Sequence, residues 1–180
     1  MGKILNIETF NNSLPCDVDL AVAVGKSDKF ETVIQKATEL GVHHIIPLMT
    51  QRTISIPKDI SRKMERWNKI ALEACQQCGR SWFSQVQSPR SIQTLDFEAY
   101  DLAATLYEKA EGLDHLKTVL QQQPKPEKLL IISGPEGGFS KEEIDWLSQK
   151  SKLVTLGPRT YRMETAPLVA LSMIDYHYYS

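Results

Sequence analysis

IISGPEGGFSKEEI, residues Ile131 to Ile144, is a short apolar run that stops at a glycine cluster and restarts as a helix. Gly134, Pro135, Glu136, Gly137 and Gly138 are consecutive, and Ser140 and Glu143 then stand three apart. That last spacing is a capping box, which opens a helix. A strand–glycine–helix junction lets a ligand come close to the main chain, because glycine carries no Cβ. The stretch matches neither G-x-G-x-x-G nor G-x-x-x-x-G-K-[ST]. A helix N-terminus favours anions, but the Glu136 carboxylate would repel a phosphate there. An uncharged or cationic nucleoside, held mainly by main-chain groups, fits better.

Outward from this junction, strand and helix signals alternate. Asp19–Val24 reads as a buried strand and Asp28–Leu40 as a helix with Phe30, Val33, Ile34 and Ala37 on one face. Gly41 stands where a helix end favours positive φ. His43–Met49 is the next strand and Asp59–Gln77 a long helix. Asp101–Tyr107 is a strand, Leu113–Gln122 helical, and Lys128–Ser133 a strand. Ser140–Lys150 is a helix, Lys152–Leu156 a strand, and Thr165–Tyr178 the last helix. Strands separated by helical patterns imply an α/β fold, a mostly parallel sheet flanked by helices.

Sheets of this kind bind ligands beyond the carboxyl ends of their strands. A second junction, LGPRTYRMET from Leu156 to Thr165, follows the next strand and again opens a helix. It supplies Arg159, Arg162 and Glu164, with Thr165 as N-cap. Two such bends at successive strand ends point to one shared site.

The chain has 180 residues, 42% of them apolar, which suits one domain with a real core. No stretch approaches the about 20 apolar residues that span a bilayer. The N-terminus lacks a signal architecture, so a cytoplasmic protein without a membrane is expected. Three cysteines without a signal argue against a disulfide framework. Cys75 and Cys78 form a C-x-x-C near a helix end, and neither Cys16 nor the pair His43–His44 completes a zinc site, so no metal is expected. Net charge is −1, yet Gln51–Arg90 holds eight basic residues against three acidic ones. That local surplus could meet RNA phosphates or be a solvated helix face. Lys26, Lys29, Arg52 and Arg80, at or near element ends, are the RNA-binding candidates.

The blocks FETVIQKATELGV, ALEACQQCGR, IISGPEGGFSKEEI and LGPRTYRMETAPLVAL, in this order, resemble the RsmE family, the SPOUT-class methyltransferases of uracil N3 in small-subunit (16S) ribosomal RNA. The resemblance covers nearly the whole chain from Asp19. It implies S-adenosylmethionine as methyl donor, a C-terminal trefoil knot and a homodimer paired through the last helix. By position, Gly134, Pro135, Glu136 and Gly137 match the first cofactor loop. Leu156, Gly157 and Arg159 match the second, and Arg162, Glu164 and Thr165 the turn into the last helix. Leu106 and Tyr107 would floor the methionine end. Arg162 is the candidate for the cation beside a uracil carbonyl, and Glu164 would orient it or accept the imide proton. Ribose 2′-O methylation and a non-catalytic RNA-binding or assembly role on the same scaffold are the alternatives.

The family begins with a small β-rich RNA-binding domain that this sequence lacks. Residues 1–18 resemble the linker that follows it, and residues 19–180 the methyltransferase domain. Pro167, Gln76 and Trp82 also depart from the family pattern.

Overall fold

Asp17–Ala23 (β1) sits mid-sheet because both of its faces are apolar. Val18, Leu20 and Val22 point to one side and Ala21 to the other, all fully buried. The same two-faced burial recurs in Lys128–Ser133 (β7), where Leu129 and Ile131 oppose Leu130 and Ile132. Continuous apolar runs of this kind mark strands covered on both faces. The structure, a computed structural model, describes residues 14–53, 59–108 and 112–179.

The remaining strands are His44–Met49 (β2), Gln85–Val86 (β3), Arg90–Ser91 (β4), Leu102–Leu106 (β5), Asp114–His115 (β6) and Lys152–Thr155 (β8). They form one sheet in the order β3-β2-β1-β7-β5-β8-β6, with β4 also pairing with β2. Every pairing is parallel, with Asp19 opposite His44, Leu20 opposite Ile131 and Thr105 opposite Leu153. The carboxyl ends of β1, β7, β5 and β8 therefore lie along one edge.

Ser27–Glu39 (α1), Ile60–Cys78 (α2), Leu116–Gln122 (α3) and Ala166–Tyr179 (α5) contribute to one core, packing Phe30, Trp67, Leu120 and Leu171 with β1 and β7. Phe30 and Trp67 meet at 4.7 Å between ring centres. Lys141–Leu147 (α4) and the turns at Ile92 and Leu95 cover the opposite face. Asp59 caps α2 by accepting from the Arg62 N–H, and Gly79 ends it at φ 70.

The α/β expectation holds, with element ends shifted by up to three residues, as at the end of α4, which stops at Leu147 rather than Lys150. Asp17 and Val18 belong to β1 rather than to a linker, and Leu14 and Cys16 are buried in the core. Residues 1–13 lie outside the described residues. The helix expected from Leu113 begins at Leu116 instead. Asp114 and His115 pair with β8, and the His115 side chain accepts from the Lys117 N–H to start α3. The short strands β3, β4 and β6 have too few residues to show a two-residue alternation in sequence.

Candidate functional site

Strand ends β1, β5, β7 and β8 deliver four loops to one cavity of about 340 Å³. Leu106 and Tyr107 come from β5, Gly134, Pro135 and Glu136 from β7, and Leu156, Arg159 and Arg162 from the segment after β8. The two bends expected to share a ligand do line the same space. Gly137, Gly157, Glu164 and Thr165 are not part of its wall.

The first bend is a built turn. The Gly138 N–H donates to the Pro135 carbonyl at 2.8 Å, with Gly138 at φ 68, a conformation that favours glycine. A Cβ on Gly134 would stand 3.0 Å from the Phe139 ring, so this position also has no room for a side chain. Arg52, from the loop after β2, donates to the Gly137 carbonyl at 2.8 Å and the Phe139 carbonyl at 3.1 Å. Ser140 and Glu143 form the expected capping box at the start of α4.

The second bend turns at Gly157, φ 112, whose N–H meets the Thr155 hydroxyl at 3.2 Å. Arg159 lies against Tyr161, its guanidinium carbon 5.9 Å from the ring centre and its Nε donating to the hydroxyl. The Arg162 carbonyl accepts from the Thr165 and Ala166 N–H groups, and the Thr165 carbonyl accepts from Val169. Thr165 thus holds the N-cap position by its backbone, while the Arg162 side chain stays exposed at the rim of the cavity.

How the loop tolerates Glu136 is now visible. Lys29, in the first turn of α1, places its ammonium 3.6 Å from a Glu136 oxygen and 3.6 Å from a Glu164 oxygen. The cation that sequence reading assigned to RNA phosphates therefore faces the cavity. A signal was available, since Gly25 follows β1 as Gly134 follows β7 and Gly157 follows β8. A Cβ on Gly25 would clash with the Met163 side chain and come within 3.3 Å of Glu136.

The other basic candidates divide. Lys26 is exposed at the start of α1. Arg80 is largely withdrawn from solvent-side duty. It donates to the Thr38, Gly41 and Val42 carbonyls at 2.9–3.1 Å, and burial pushes its guanidinium below its ordinary pKa. On α2, Arg66 grips Glu31 through two bonds of 2.7 Å.

At the amino end of the sheet, Asp19 gathers His43 and His44, their donor atoms all within 4.8 Å of one another. Sequence reading paired these histidines with Cys16 and missed Asp19. The carboxylate is already occupied, accepting from Tyr100 at 2.8 Å and from the His44 main-chain N–H at 3.0 Å. Cys75 and Cys78 are free thiols bonded to main-chain carbonyls, and burial pushes the Cys16 thiol up to about 11.

Residues 12–175 match the model of the RNA methyltransferase domain family. The ribosomal RNA small subunit methyltransferase E of Bacillus subtilis is 38% identical over 174 residues, covering 92% of this chain and 68% of that protein. The chain belongs to the RsmE family of RNA methyltransferases. The RsmE protein of Synechocystis is 35% identical over 97% of the chain, which spans 58% of its length. Among solved structures, a methyltransferase of Legionella pneumophila in complex with S-adenosylmethionine superposes with TM-score 0.82, at 34% identity, over 93% of this chain and 69% of that one. An RsmE protein of Neisseria gonorrhoeae bound to S-adenosylmethionine superposes with TM-score 0.80, at 25% identity, over 94% and 70%.

The cavity fits an adenosyl sulfonium. Its walls offer main-chain groups at two bends, an apolar floor at Leu106, and the Glu136 carboxylate, which favours a positive centre, while Glu164 stands behind the wall, 3.6 Å from the Lys29 ammonium.

Proposed function

We propose that this RsmE-family chain transfers a methyl group from S-adenosylmethionine to N3 of a uridine in small-subunit ribosomal RNA. The observation that carries this reading is the convergence of the Gly134–Gly138 and Leu156–Thr165 bends on one cavity in a member of this family. The cofactor supplies a methyl carbon made electrophilic by the attached sulfonium. Main-chain groups of Gly134, Pro135, Glu136 and Leu156 would cradle its adenosyl part, with Gly137 and Gly157 shaping the two bends behind them and Leu106 and Tyr107 beneath the methionine end. Thr165 would fix the turn that presents Arg162. Arg159 and Arg162, at the rim, would hold the incoming nucleotide, and Glu164 would take the imide proton. A cation near a uracil carbonyl would stabilise the charge that develops on that oxygen.

The chain would act in the cytoplasm on ribosomal RNA, with Lys26 and Arg52 near the RNA path. Among the described residues no helix is long and apolar enough to cross a membrane. A homodimer pairing α5 with its copy is supported by that helix's aromatic end, where Tyr176 is 79% and Tyr179 60% exposed. A trefoil knot in the last third is supported by topology. β7 inserts between β1 and β5, β8 lies beyond β5, and α5 then packs back into the core shared with α1. Residues 19–180 would be the methyltransferase domain.

The test is methyl transfer to small ribosomal subunits that lack the modification, followed by mapping of the product. A methyl on N3 of one uridine is expected. A methyl on ribose, or no transfer despite cofactor binding, would overturn the proposal.

A further inference from the structure

We propose that Lys29 is a catalytic residue, resting on the methyltransfer reading above: its ammonium binds a uracil carbonyl beside N3 while holding Glu164 in place to receive the N3 proton.

Three observations converge. Lys29 lines the cavity, on the α1 turn that follows β1, together with Arg162 and the Glu136 loop. Its ammonium stands 3.6 Å from Glu136 Oε1 and 3.6 Å from Glu164 Oε2, one carboxylate from each bend. The same Glu164 Oε2 is buried and accepts no hydrogen bond. Charge-assisted N–H···O bonds close to about 2.7–2.9 Å. Both contacts of Lys29 are longer, so the ammonium sits between two counter-charges without spending its three donors on either.

An ammonium held in that way has donors for a third acceptor, and the cavity is where that acceptor would be. A neutral pyrimidine carbonyl can take such a donor. The two carboxylates keep the lysine in place, and one of them keeps an oxygen unsatisfied for a proton. Arg162 is exposed at the rim and suits the nucleotide's outer parts, whereas Lys29 is only 27% exposed along its side chain.

The step balances without a further reagent. The N3–H proton passes to the Glu164 carboxylate, leaving the pair on N3 with charge shared by the flanking carbonyl oxygens. Lys29 keeps its own proton and stabilises that charge. The N3 pair forms the new bond to the methyl carbon as the carbon–sulfur bond breaks, its electrons remaining on sulfur as a neutral thioether. Glu164 then returns its proton to solvent.

Lys29→Met and Lys29→Ala, on the full chain, test this against the alternative that Lys29 merely contacts phosphate. Calorimetry gives the affinity for S-adenosylmethionine, filter binding gives that for the RNA, and single-turnover methylation at saturating levels of both gives the rate. Both affinities should stay within about threefold of wild type while the rate falls about 100-fold or more, the loss seen when a transition-state donor is removed. Added alkylammonium should restore part of the rate of Lys29→Ala. A variant that binds RNA weakly yet reacts at the wild-type rate once saturated overturns the role and leaves the methyltransfer reading intact. A wild-type chain that binds cofactor and RNA without transferring methyl overturns that reading, and this role with it.

Discussion

Gln51 donates its main-chain N–H to Glu143 Oε1 at 2.8 Å, across the gap between the β2 loop and α4. The other oxygen of Glu143 accepts from the Ser140 N–H at 2.8 Å, and the carboxylate is almost wholly buried. One side chain thus completes the helix cap and fastens a neighbouring loop. Glu143→Ala would leave two main-chain donors without partners in a dry place. A loss of about 3 kcal/mol in unfolding free energy is expected, read by urea denaturation, since each charge-assisted bond contributes roughly 1.5–3 kcal/mol. A loss under about 1 kcal/mol would mean that water replaces the carboxylate at both donors.

Arg52 works on the same glycine bend from the other side. Its guanidinium donates to both the Gly137 and Phe139 carbonyls. Arg52→Ala should leave the core intact and loosen the bend. We expect the affinity for S-adenosylmethionine to fall about 3- to 10-fold by calorimetry, with stability reduced by about 1 kcal/mol. If the residue serves only RNA, cofactor affinity will not move while RNA affinity drops.

Arg80 tests how far a basic residue in the sequence can mislead. Its Nη1 also bonds the Ser84 hydroxyl, which in turn donates to the Val42 carbonyl at 2.6 Å. Three carbonyls around the α1–β2 turn and the Ser84 hydroxyl accept from it. Arg80→Ala should cost about 2–4 kcal/mol of stability, as expected on removing one partner of a buried polar network. RNA affinity of the folded variant, measured below its melting range, should match wild type. A weaker RNA complex from a protein of unchanged stability would return Arg80 to the RNA surface.

The fold was legible because its strands are buried on both faces and its helices carry long apolar stripes. Leu129–Ile132 and the Phe30–Ala37 face announce themselves by composition and period alone. The bends were legible too, since Gly134–Gly138 and Gly157 are local signals. What sequence could not supply was the juxtaposition of distant charges. Lys29 lies more than a hundred residues from Glu136 and Glu164, and only the order β1-β7-β5-β8 brings their loops together. A surface lysine and a cavity lysine look identical in sequence. Arg80 failed in the opposite sense, because three carbonyls at the end of α1 claim its donors and carbonyls carry no sequence signature. Asp19, His43 and His44 were likewise joined by strand register, Asp19 lying opposite His44.

That last cluster fixes how stability should respond to acid. Burial works to raise the Asp19 carboxyl, but donors from His44 and Tyr100, with the nearby histidine charges, outweigh it and hold the group below its ordinary 3.8. Burial and the charge of His44 push His43 below its ordinary 6.5. Burial and the Asp19 charge push the Tyr100 phenol upward, so it remains a donor throughout. Both depressed groups bind fewer protons in the folded chain than in the unfolded one, so stability falls as pH falls. The His43 contribution is complete above 6.5 and declines as pH drops through that value toward its folded pKa. The Asp19 contribution persists to lower pH and is lost below 3.8. Urea denaturation at pH 7.5 and 5.5 should therefore show a weaker fold at the lower pH. His43→Gln should shrink that difference, although its lost stacking on Trp82, 4.7 Å between ring centres, lowers stability at both pH values. A His43→Gln variant with the full wild-type difference would mean that another group carries the acid response.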